Sequence, residues 1–89
     1  MSQIVVDPDQ LRVFARSLQE ESRLLRERQA TLQSNRELLE GVWKDERYKQ
    51  FEKAYLPAMQ RLERFCRQAD EYATYLRKKA DLADRYLRR

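Results

Sequence analysis

Leucine recurs at positions 11, 18, 25, 32 and 39, five times at an unbroken spacing of seven. Seven residues are two turns of an α-helix, so the repeat returns each leucine to nearly the same bearing, whereas a strand repeats every two residues. No Gly or Pro falls between positions 9 and 40 to interrupt it. The spacing predicts a first helix over about 8–40, some 30 residues and so roughly 45 Å long. Its start is marked by "DPDQ" at 7–10, behind a short apolar lead-in, "IVV" at 4–6. Asp7 can accept a hydrogen bond from a first-turn N–H, Pro8 stands where its missing N–H costs nothing, and Gln10 takes the reciprocal place of a capping box. Phe14 and Val42 fill the companion row of the leucine seam at its ends, with Glu21, Arg28 and Asn35 between them.

A second helix is predicted over about 46–87. One seam reads Tyr48, Tyr55, Leu62, Ala69, Leu76, Ala83, and its companion reads Phe51, Ala58, Phe65, Tyr72, Lys79, Tyr86. Cys66, Ala73 and Ala80 extend the apolar arc beyond those two rows, which puts Cys66 on its flank. Pro57 removes one backbone hydrogen bond and predicts a kink with no new domain boundary. Between the helices, a bend at about 41–45 holds the only Gly, Gly41, and the only Trp, Trp43. Gly41 suits the C-terminal cap of the first helix, and Asp45 suits the N-terminal cap of the second. Trp43 can plug the end of the hairpin or anchor a partner.

The fold expected is all-α: two long antiparallel helices in one domain of 89 residues. One partner helix cannot cover so wide an apolar arc, so two hairpins are expected to pair into a four-helix bundle. The interface would use Leu11, Phe14, Leu18, Leu25, Leu32 and Leu39 from the first helix. The second would contribute Tyr55, Leu62, Phe65, Tyr72 and Leu76.

Composition narrows the chemistry. His is absent, removing the commonest general base and a frequent metal ligand, and one Cys makes neither a disulfide within the chain nor a cysteine-rich zinc site. Glu20, Glu21, Glu37 and Glu40 lack the His of a helical two-metal centre. No enzyme, metal or cofactor is expected. Residues 1–42 carry six Lys/Arg against seven Asp/Glu, and residues 43–89 carry thirteen against eight. The basic excess, Arg77, Lys78, Lys79, Arg85, Arg88 and Arg89, admits an alternative reading as a patch for nucleic acid or an anionic surface. A solvated helix end fits it better, because Asp81 and Asp84 dilute the charge and cations suit a helix C-terminus. With no signal-peptide pattern and no long apolar run, a cytoplasmic protein is expected, exported if at all without a cleavable signal.

Taken together, "IVVDPDQL", the long first helix, and "VWKDERYKQF" with Phe51 eight positions after Trp43 resemble the WXG family of small helical-hairpin proteins. These early secreted antigens are associated with type VII secretion, and the likeness spans the whole chain. The resemblance implies pairing with itself or a related hairpin, export as a folded bundle, and service to a secretion ATPase or a toxin cargo. It implies that the bend, Gly41, Trp43, Asp45 and Phe51, is a docking point. Asp45 stands where the family has Gly. The family's C-terminal Tyr-x-x-x-Asp/Glu signal has no counterpart in the tail, since the spacing occurs only at Tyr48 and Glu52. The partner would then carry that signal, or the chain would serve as an adaptor.

Overall fold

A computed structural model describes residues 7–87; the "IVV" lead-in, Arg88 and Arg89 lie outside them. Two helices form, α1 over Pro8–Glu37 and α2 over Glu46–Leu87, and they pack along each other as an antiparallel hairpin. The molecule measures 66 × 26 × 13 Å, two helices wide and one helix thick.

The start of α1 follows the expected chemistry. The Asp7 carboxylate accepts from the backbone N–H groups of Asp9 (3.0 Å) and Gln10 (3.4 Å), and Pro8 opens the first turn. Its end comes earlier than the leucine repeat predicts. The helix stops at Glu37, and Leu38–Glu40 continue as tight turns in which the N–H of Leu39 donates to Arg36 and that of Glu40 to Glu37. Arg36 is the last α1 residue tied to α2, through Glu52 at 3.0 Å. The chain has to leave the helical path here to turn back into α2 at Glu46, and tight turns make that reversal. α2 runs through Pro57 as one element, so no domain boundary falls there.

The seam between the helices is built differently from the expectation. The row facing α2 is Pro8, Ala15 and Ser22, buried, followed by Gln29, half-buried. On α2 it is Tyr55, Cys66, Ala69, Ala73 and Ala80, all buried. Leu11, Leu18, Leu25, Leu62 and Leu76 border this seam, half-buried. The predicted companion rows are turned away instead: Phe14 is 57% exposed, Phe65 45% and Tyr72 63%. In both helices the row four residues beyond each seam residue packs inward, where the row three residues beyond was predicted. Small side chains explain the choice, because they allow the two backbones to approach. The Ser22 hydroxyl donates to the Cys66 carbonyl at 3.4 Å, and the Cys66 thiol lies 3.7 Å from the Ser22 carbonyl. Each side chain reaches the opposite backbone, which a Phe in the same place would prevent. Cys66 is therefore at the centre of the seam, correcting its expected place on the flank, and its buried thiol is not available to a second chain in this arrangement.

Candidate functional site

The two broad faces of the hairpin differ in kind. Along one, α1 presents Arg12, Gln19 and Arg26 at steps of seven, and α2 answers them in reverse order. Arg12 bonds Asp84 (2.5 Å) and Asp81 (2.9 Å), Gln19 accepts from Arg77, and Arg26 bonds Asp70 (2.7 Å) with Glu63 at 3.5 Å. The hydrogen bond from Arg26 holds the Asp70 carboxyl below its ordinary pKa. Hydrogen bonds to Asp81 and Asp84 raise the guanidinium pKa of Arg12. Solvent screens such partly exposed pairs, so each one is individually weak. Their regular spacing fixes the register of the hairpin and fills this face with satisfied charge.

The ladder also decides the fate of the basic cluster. Arg77 is drawn between the helices to Gln19, and Lys79 lies 6.0 Å from the centre of the Tyr75 ring. Lys78 and Arg85 remain exposed beside Asp81. The structure thus disperses the cluster among acids and a ring, and assembles no continuous basic groove from its described members.

The opposite face is aromatic. Because Arg12 and Arg26 share a side with Asp84 and Asp70, the rows across the seam from them share the other side. These carry Phe14 and Leu32 from α1 and Phe51, Phe65 and Tyr72 from α2, all exposed. Leu39 falls outside α1 in the turns and is exposed there.

At the bend Trp43 and Phe51, the two aromatics of the expected docking point, come together with Tyr48 and Tyr55 from the α2 seam. Asp45 caps α2, accepting from the Tyr48 N–H at 3.1 Å, and its carboxylate also accepts from the Trp43 indole N–H at 2.8 Å. The half-buried Trp43 ring packs edge-on to Tyr48 (5.2 Å between centroids) and against Phe51 (5.6 Å), and Phe51 stacks on Tyr55 (5.3 Å). Gly41 has φ +87°. It serves a turn after the helix, where both Val42 and Trp43 donate to the Leu39 carbonyl, and not the helix cap itself as predicted. Leu38 and Val42 stand 76% and 79% exposed beside it.

Sequence reasoning missed what holds this end. Arg36 donates to Glu52 (3.0 Å) and the Tyr48 hydroxyl (3.3 Å), and its guanidinium lies 4.9 Å over the Tyr55 ring. The Tyr48 hydroxyl donates to Glu52 at 2.6 Å, and that bond raises its pKa. The chain's one Tyr-x-x-x-Glu spacing is thereby engaged inside the hairpin. Tyr55 reaches Gln33 at 2.9 Å. The signal available in sequence was that Arg36 falls in the same heptad row as Ala15 and Ser22, on the face that meets α2.

No described helix is long and apolar enough to cross a membrane. Compared with known protein families, curated proteins and solved structures, the chain matches none.

Proposed function

We propose that this chain is a non-enzymatic, WXG-like hairpin that works by pairing, either with itself or with a related hairpin, and serves a type VII-like secretion system as exported partner, substrate or adaptor. One observation carries the reading: small residues close the hairpin, and the large aromatics are left uncovered on the face opposite the charge ladder. The accessible surface is 7612 Å², roughly 2,000 Å² more than the ~5,600 Å² expected of a compact chain of this size. The radius of gyration, 19.9 Å, exceeds the ~12 Å of such a chain. A standard interface takes only about 800 Å² from each partner, so the surplus is ample for a second hairpin.

The second element of the reading is the bend. Trp43 is clamped by Asp45, Tyr48 and Phe51 with part of its ring in solvent, beside exposed Leu38 and Val42. A rigid, half-exposed Trp is the kind of anchor around which binding energy concentrates. Export measured in the native host is the test, comparing wild type with Trp43→Ala in cells with and without the secretion ATPase. Reduced export of Trp43→Ala at unchanged helicity supports the proposal. Export that ignores both the substitution and the ATPase refutes the secretion role.

A further inference from the structure

The charge ladder runs one way. Among the described residues, every ion pair that crosses the seam takes its arginine from α1 (Arg12, Arg26, Arg36) and its carboxylate from α2 (Glu52, Glu63, Asp70, Asp81, Asp84). α2 therefore spends its acids on the other helix and keeps its cations. Between Lys53 and Gln68 its exposed side chains include Lys53, Arg61, Arg64 and Arg67 and no acid, since Glu63 is half-buried against Arg26.

Helical spacing gathers most of these cations on one edge. Two residues are about 200° of helix apart, so the residue two before each buried seam residue faces away from α1. Before Tyr55, Cys66, Ala69 and Ala80 those residues are Lys53, Arg64, Arg67 and Lys78, and before Ala73 it is Glu71. Arg85 extends the row, one heptad past Lys78. All six are exposed, and none of the cations joins an ion pair among the described residues. From Lys53 to Arg85 the row is roughly 48 Å long at 1.5 Å per residue. It draws only Lys78 and Arg85 from the C-terminal cluster, and its centre lies at Arg64 and Arg67. The plate is one helix thick, 13 Å, so this edge is a straight, convex ridge.

We propose that the outer edge of α2 binds the phosphate backbone of duplex nucleic acid. Charge complementarity selects a polyanion, and a pI of about 9.5 with cations ranged along one helix is the footprint of such binding. Shape and composition then select a duplex. Its persistence length is about 150 base pairs, so over the length of this ridge both partners are straight and neither has to be ordered. Single strands take rings stacked beside the cations, and a helix lying on lipid buries an apolar stripe. The centre of the edge offers neither: Gln60, Arg64, Arg67, Gln68 and Glu71 are exposed there, while Phe65 belongs to the aromatic face. The edge stays open when the aromatic face is covered, so the inference goes beyond pairing and secretion and depends on neither.

Fluorescence anisotropy of the full-length chain with a labelled DNA duplex of about 30 base pairs, from about 50 to 200 mM salt, tests it. Affinity should fall with a log–log slope of roughly −4.5, for five phosphates at about 0.9 each. Arg64→Gln with Arg67→Gln should weaken binding at least about tenfold at the lower salt and flatten the slope by about two. Arg16→Gln with Arg28→Gln removes the same charge from exposed positions on α1 and should leave affinity and slope nearly unchanged. Glu71→Lys completes the row and should tighten binding, steepening the slope by about one; such a gain cannot come from misfolding. Because every altered position is exposed, helicity should stay constant across the set. Equal weakening by the two double variants would show attraction to net charge alone and overturn the edge. Absence of duplex binding at the lower salt overturns the proposal. Tighter binding to the single strand of the same sequence, or to phosphatidylserine vesicles, overturns the duplex as the partner.

Discussion

Gly41 and Asp45 do different work within five residues. At φ +87° Gly41 occupies backbone that costs other L-residues about 1–2 kcal/mol, yet a Cβ there would meet nothing within 4 Å. The cost of Gly41→Ala is therefore conformational and not steric. It should lower the melting temperature by roughly 4–8 °C per kcal/mol lost. Gly41→Asn should lower it less, since Asn tolerates that region. Equal losses would show that something other than backbone conformation is at stake. Asp45 holds both the first turn of α2 and the Trp43 indole, so one carboxylate couples a helix cap to the orientation of an aromatic anchor. A Gly at this position would provide neither bond.

Within an element, neighbouring residues can belong to different interfaces. Phe65 and Cys66 adjoin in sequence, but one is turned out and the other is sealed between the helices. Cys66→Leu should overpack the seam and destabilise the hairpin by about 1–3 kcal/mol. Phe65→Ala should leave a monomeric hairpin's melting nearly unchanged while weakening its pairing. Thermal melts and mass measurements on both variants separate the roles, and the reverse pattern would overturn the seam assignment. The charge ladder adds a pH dependence between the elements. The folded-state pKa of Asp70 is lowered by Arg26, so its stabilisation is present above the ordinary carboxylate pKa, about 3.9. That stabilisation is lost as pH falls through the lowered value. Melting temperature followed from pH 5 to 2 should fall more steeply for wild type than for Asp70→Asn; parallel slopes would remove Asp70 from the acid response.

At the scale of the whole molecule the hairpin is a thin plate with one finished face and one unfinished face. The finished face matches its own charges; the unfinished one holds the aromatics. Pairing through the aromatic face would link stability to concentration, because association draws on the folded state. Melting temperature should therefore drop on serial dilution towards the dissociation constant. A melting temperature independent of concentration, with monomer mass throughout, would show that the plate is stable with that face bare.

How much of this was legible in the sequence is clearest in the heptad rows. The leucines at 11, 18 and 25 and their counterparts Leu62 and Leu76 do line the hairpin, and Asp7 and Asp45 do cap its helices. Period and capping chemistry are local, so the sequence determined two helices, their order and the bend between them. It did not determine which adjoining row meets the other helix. On α2 the row of Cys66, Ala73 and Ala80 and the row of Phe65 and Tyr72 are both largely apolar, and hydrophobic pattern alone favours the larger side chains. The tertiary structure decided for the smaller ones, because two backbones can close together only where little stands between them. That choice turned the aromatics outward.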